Sequence, residues 1–165
     1  MKKDVFISYS SKDFDKVNRV KHILEENGIS CWMAPKNIPA GSNYAKEIPI
    51  AIKNCKVFLL MITSKSQTSQ WVPKEIGLAL SEYKCVIPLV IEECVLTDAF
   101  NFFLIDVQRY YMLKLDLNSL KELIERIQFE CGIIKQKTSF VYSNEISNIE
   151  AWIIRKEKNV LNLEF

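Results

Sequence analysis

The sequence predicts an α/β fold, with a parallel sheet carrying helices on both faces. Three observations lead there. Short apolar segments alternate with segments of helical period along most of the chain, an order that builds parallel sheets through right-handed crossovers. Lys56 to Thr63 encloses a continuous apolar run, which suits a strand buried on both faces. The chain has 165 residues, enough for one domain with its own core and without disulfides or metal.

Asp4-Val5-Phe6-Ile7-Ser8-Tyr9 reads as the first strand, ending in the turn residues Ser10-Ser11-Lys12-Asp13. Asp13 is placed to cap a helix, because a carboxylate there accepts a free backbone N–H. Phe14, Val17, Val20 and Leu24 follow at helical spacing, and Asn27-Gly28 stops that helix. Ile29 to Trp32 is a short second strand. Ala34 to Ser42 is a loop holding Pro35, Pro39 and Gly41. Asn43 to Asn54 reads as a helix with Ile48, Ala51 and Ile52 on one side and Pro49 as a local misfit. After the third strand, Ser64 to Ser69 reads as polar loop. Trp71 to Tyr83 is a helix that tolerates Pro73 only in its first turn. Cys85 to Ile91 is the fourth strand, Glu92 to Phe103 is ambiguous, and Asp106 to Met112 is the fifth strand. Leu117, Leu120, Ile124, Ile127 and Cys131 mark an amphipathic helix. Residues 1–131 are therefore expected to form the domain. Residues 132–165 are read as an extension that packs on it or mediates assembly, with Ile146, Ile149, Trp152 and Ile153 in one more helix.

Composition excludes several classes of function. Apolar residues are 48% and charged residues 25%, as in soluble globular domains. A net charge of +2 gives no footprint for nucleic acid. The longest apolar runs, Val57 to Ile62 and Val86 to Ile91, fall far short of the roughly 18 residues a membrane helix needs. The start of the chain lacks the features of a signal peptide, so a cytoplasmic protein is expected. The five cysteines, Cys31, Cys55, Cys85, Cys94 and Cys131, form no C-x-x-C pair and suggest neither disulfides nor zinc. No metal is expected. His22 is the single histidine and sits in a helix, which leaves little room for a Ser-His-Asp or Cys-His machine.

Three blocks carry a resemblance. They are Asp4 to Asp13; Gly28-Ile29-Ser30-Cys31-Trp32-Met33-Ala34-Pro35-Lys36-Asn37-Ile38-Pro39-Ala40-Gly41-Ser42; and Ser69-Gln70-Trp71-Val72-Pro73-Lys74-Glu75-Ile76. In this order they resemble the first strand and loop, the second strand and BB loop, and the Trp-x-x-x-Glu segment of Toll/interleukin-1 receptor (TIR) domains. The likeness spans residues 3 to 131. It is similar to the bacterial NAD-cleaving type, and in particular to the TIR component of Thoeris antiphage systems. It implies a flavodoxin-like three-layer sandwich with a five-stranded parallel sheet. Ligands of such sheets bind past the carboxyl ends of the strands.

The resemblance also implies a chemistry. NAD-cleaving TIR domains break the bond between nicotinamide and ribose. The leaving group is a cationic pyridinium that departs neutral and needs no protonation. Ordinary glycoside hydrolysis, by contrast, uses a pair of carboxyl groups. One carboxylate that stabilises the oxocarbenium charge can therefore suffice. Glu75 is the catalytic candidate, expected in the first turns of its helix, where the backbone dipole favours ionisation. Trp71, four residues earlier on the same face, is a candidate wall of the ribose pocket. Phe6, Ser8, Tyr9 and Ser10 on and after the first strand are candidates for the nicotinamide, adenine or phosphates. In the loop, Trp32, Ala34, Lys36 and Asn37 are candidates for the dinucleotide, and Tyr44 and Lys46 follow at the next helix. There is no G-x-G-x-x-G, so NAD+ is not expected to be held as in dehydrogenases. The resemblance implies NAD+ as substrate, and no cofactor is expected.

The resemblance further implies self-association through TIR–TIR contacts and a product read by a separate effector. The competing class is a non-enzymatic TIR–TIR interaction module, an adaptor or mimic of host signalling. A receiver domain is a third class, but the third strand ends Met61-Ile62-Thr63-Ser64 without the aspartate a receiver needs.

Overall fold

The computed structural model describes residues 2–38, 41–113 and 117–133. Pro39 and the expected C-terminal extension beyond Ile133, with its helix through Ile146, Ile149, Trp152 and Ile153, lie outside the described residues.

Five strands form one sheet: β1 (Val5–Ser8), β2 (Cys31–Trp32), β3 (Val57–Ile62), β4 (Cys85–Val90) and β5 (Tyr110–Tyr111). Their spatial order is β2-β1-β3-β4-β5, and every pairing is parallel. The helices are α1 (Phe14–Glu26), α2 (Tyr44–Asn54), α3 (Ser64–Gln67), α4 (Val72–Ser81), α5 (Asp98–Phe103) and α6 (Leu117–Glu130).

All six residues of β3 are buried, and side-chain alternation sends them to opposite faces. Val57, Leu59 and Met61 pack with Val17, Val20 and Leu24 of α1 and Leu120, Leu123 and Ile127 of α6. Phe58, Leu60 and Ile62 pack with Ile48 and Ile52 of α2, Val72, Ile76 and Ala79 of α4, and Phe100 of α5. These two cores make the three-layer sandwich expected from the sequence. The chain reverses its direction across the sheet between β1 and β3, so a crevice opens at their carboxyl ends.

Several local readings are corrected. Asp13 precedes α1 without capping it by side chain. Its carboxylate instead accepts from the Thr63 hydroxyl at 2.7 Å and Lys65 Nζ at 3.0 Å. β2 is shorter than Ile29 to Trp32: only Cys31 and Trp32 pair with β1. The Ser30 N–H is turned to the Asp4 carboxylate, which accepts from it at 3.1 Å and from the Ser30 hydroxyl at 2.6 Å. Ser64 to Ser69 is no plain loop. Thr63 and Ser66 form a capping box that starts α3, each satisfying a backbone donor of the other. The ambiguous stretch before Phe103 contains α5, capped by Thr97. β5 reaches only Tyr110–Tyr111, since only Leu89 and Val90 of β4 face it. α2 runs through Pro49 and is capped by Asn43, which accepts from Ala45 N–H at 2.8 Å.

Candidate active site

Ser8 closes β1, on the sheet face that also carries Phe6. Its hydroxyl donates to Glu75 Oε2 at 2.5 Å, joining two residues far apart in sequence. Glu75 lies in the first turn of α4, and Pro73 occupies a position there that needs no amide donor. The Ser69 hydroxyl accepts from the N–H groups of Trp71 at 3.2 Å and Val72 at 3.4 Å, which satisfies donors that the helix start leaves free.

Glu75 is 8% exposed. Burial lifts its carboxyl from 4.5 to about 7, and the Ser8 hydrogen bond only partly offsets that. The sequence led to the expectation of an ionised group favoured by the helix dipole; burial works against that form. Among the described residues no salt bridge reaches Glu75. Lys74, its neighbour, instead lies 5.4 Å from the centroid of the Trp71 ring, a cation–π contact.

The carboxylate opens into a cleft of about 350 Å³. Tyr9 and Ser11 wall it from the β1 turn, Ala34 and Pro35 from the loop after β2, and Tyr44 and Ile48 from α2. Ser69 and Trp71 complete it from the α4 side. Trp71 is 45% exposed, so its ring faces solvent and cleft rather than the core. The Tyr9 hydroxyl donates to the Ala34 carbonyl, tying the loop to β1. Burial pushes that phenol up to about 12, with Tyr44 and Glu75 adding to it, so Tyr9 stays a neutral donor. Trp71 and Glu75 also face an adjoining groove of about 190 Å³ lined by Ile48, Ile52 and Leu78.

The structure therefore gathers Tyr9, Ala34, Tyr44, Trp71 and Glu75 around one cleft, with Ser8 bonded to the acid behind it. Other candidates lie elsewhere. Phe6 is 1% exposed and stacked between Trp32 and Phe58, so it offers no surface to a ligand. Ser10 is buried in the turn, its carbonyl accepting from Asp13 N–H at 2.8 Å. Lys36 reaches back to α1, bonding Asn18 Oδ1 at 2.9 Å over the Phe14 ring. Lys46 is on α2 and does not line the cleft. Trp32 and Asn37 line a larger cleft of about 570 Å³ at the β2 edge. Volume alone does not select the site; the larger cleft lacks the desolvated carboxyl. Sequence reasoning missed Ser11, Pro35, Ile48 and Ser69. Ile48 was within reach, because it lies four residues after Tyr44 on the same helix face.

Among the described residues, no group of three or more His, Cys, Asp or Glu is placed to hold a metal ion, and no helix is long and apolar enough to cross a membrane.

A β2-β1-β3-β4-β5 parallel sheet with helices on both faces and an acid buried beside its β1/β3 crevice defines a flavodoxin-like α/β domain. The chain belongs to the TIR domain family, whose model matches residues 5–124. No curated protein matches it. Among solved structures, it is similar to the TIR domain of the Toll-related receptor TRR-2 from Hydra magnipapillata. That likeness has 21% identity and a TM-score of 0.66, and covers 76% of this chain and 98% of that one. It is also similar to a TIR-STING receptor from C. gigas in complex with 2′,3′-cGAMP, at 22% identity and a TM-score of 0.63. That match covers 76% of this chain but only 39% of the receptor. A Clostridium botulinum CMP N-glycosidase, BcmB, matches at 21% identity and a TM-score of 0.50, covering 76% of this chain and 99% of that one. All three likenesses concern the fold.

Proposed function

We propose that this TIR domain is a cytoplasmic NAD+ glycohydrolase or cyclase with Glu75 as its catalytic carboxylate. The observation that carries the reading is the desolvated Glu75, held by Ser8 at 2.5 Å at the wall of an open cleft. A strongly shifted acid in a cleft is a candidate for chemistry, because active sites arrange burial to shift such groups. An interaction module gains nothing from a buried carboxyl of this kind.

A cleft of about 350 Å³ suits the nicotinamide-riboside half of the substrate. The bond between ribose C1′ and the pyridinium nitrogen breaks, and its electron pair leaves with neutral nicotinamide. Positive charge develops at C1′ and the ring oxygen. Ionised Glu75 stabilises that charge, and Ser8 orients the carboxylate. Water, losing a proton, or a nucleophile of the same molecule then captures C1′. We further propose self-association through TIR–TIR contacts, and a product that is an ADP-ribose-derived messenger in antiphage defence, read by a separate effector. That step rests on the resemblance of the three sequence blocks.

The test is nicotinamide release from NAD+ by the wild-type chain and by Glu75→Gln, alone and under assembled or phage-activated conditions. CMP serves as a second substrate, since a CMP N-glycosidase shares the fold. Release that falls by about 10²–10³ in the variant is expected, the scale of losing one electrostatic stabiliser. Absence of release in every condition, or equal release by the variant, overturns the reading.

A further inference from the structure

Phe58 of β3, Phe6 of β1 and Trp32 of β2 form a ladder of near-parallel rings across the sheet. Phe58 and Phe6 have centroids 5.5 Å apart at 6°, and Phe6 and Trp32 are 4.8 Å apart at 13°. The rungs follow strand register, with Phe6 opposite both Phe58 and Trp32. β2 is an edge strand, so the ladder ends at Trp32. Beyond it lies the cleft of about 570 Å³, which shares no lining residue with the Glu75 cleft.

The walls of this cleft differ in character. Ile50 of α2, 46% exposed, supplies an apolar surface beside the Trp32 ring. Lys2 and Lys3, just before β1, also line it, and Glu47 is the single carboxylate among its lining residues. Asn37 also lines it. Its Oδ1 already accepts from Met33 N–H at 2.8 Å, which leaves its NH2 group as a donor.

The geometry points to a second binding site here, for a nucleoside monophosphate. The base stacks on Trp32 as a fourth rung of the ladder, and the phosphate pairs with Lys2 and Lys3. A flat aromatic surface beside a net positive charge is the pattern that recognises a ring carrying an anion. A volume of about 570 Å³ is ample for a mononucleotide and falls within the usual range of ligand sites. The site stands on these residues alone and not on the NAD+ reading.

Calorimetric titration of the full chain with 5′-AMP tests it. Saturable binding is expected, with adenosine and inorganic phosphate each weaker than 5′-AMP. The Kd rises by about tenfold or more in Trp32→Leu, the loss expected when one stacking plane is removed. Because Trp32 also packs on Phe6, the double variant Lys2→Glu/Lys3→Glu provides a probe outside the core and is expected to lose affinity as well. Trp71→Ala, in the other cleft, retains it. Absence of binding at millimolar 5′-AMP overturns the proposal. So does 5′-AMP binding no tighter than adenosine, or affinity lost in Trp71→Ala and kept in the lysine variant.

Discussion

The Ser8 hydroxyl lies 2.5 Å from Glu75 Oε2, and this contact orients the acid and opposes the burial that favours its neutral form. Burial lifts the carboxyl to about 7 and the hydrogen bond works against that. Catalysis by charge stabilisation needs the ionised form. In the free protein kcat/KM for NAD+ is therefore expected to rise with pH and level off above a limb near 7. A pH profile of initial nicotinamide release measures it. A profile flat from about pH 5 to 8 would show that Glu75 does not titrate in the rate-limiting step.

Ser8→Ala removes the one hydrogen bond among the described residues that favours the ionised carboxyl. A bond to a charged group contributes about 1.5–3 kcal/mol, which corresponds to about one to two pH units. The limb is expected to move up by that amount, with most of the plateau rate retained at high pH. A merely structural Ser8 would lower the rate at every pH and leave the limb in place.

How much of this was legible in the sequence depends on the range of the interaction. β3 was legible because all its residues are buried, so the run is apolar without alternation. Glu75 and Trp71 were legible as a local motif at helical spacing. The Ser8–Glu75 contact was not, because it joins the end of one strand to a helix far along the chain. The same holds for Phe6 and Trp32. Both are aromatics on short strands, and only the strand register shows that they stack on each other. Asp13 looked like a cap for the same reason: its partners Thr63 and Lys65 come from another turn.

Glu75 also affects stability, with a definite sign. Its folded pKa of about 7 is above the ordinary value of 4.5. Below about 4.5 it is neutral in both states and the fold carries no penalty. Between these values the unfolded chain ionises first, and stability falls as pH rises. Above about 7 the loss is complete, at about 3 kcal/mol. Glu75→Gln keeps an oxygen that can accept from Ser8 and cannot ionise. It is expected to stabilise the protein by up to that amount at about pH 8 and by nothing at about pH 4. Urea unfolding at both pH values reads this directly, and an equal effect at the two would exclude a titrating Glu75. The sign is the one expected of the proposed catalytic acid, since placing such a group in a desolvated cleft weakens the fold.

Thr63 tests how the two turns flanking the cleft are joined. Its hydroxyl donates to Asp13 Oδ2 at 2.7 Å and accepts from Ser66 N–H at 3.0 Å. Asp13 belongs to the turn that carries Ser11 into the cleft, and Ser66 to the helix before Ser69. Thr63→Val keeps the shape and deletes both bonds. Among the described residues, the Asp13 side chain, 1% exposed, is then left with Lys65 alone. Loss of such a partner costs about 1–3 kcal/mol, so the urea midpoint is expected to fall with an unchanged m-value. Thr63→Ser restores the hydroxyl and should recover most of the loss. An unchanged midpoint in the valine variant would show that Lys65 alone satisfies Asp13. The pH limb of nicotinamide release is expected to stay where it is, because the Thr63 hydroxyl bonds Asp13 and Ser66 and is not among the groups that shift Glu75. A variant that shifts stability without shifting the limb separates the scaffold of the cleft from the acid it presents.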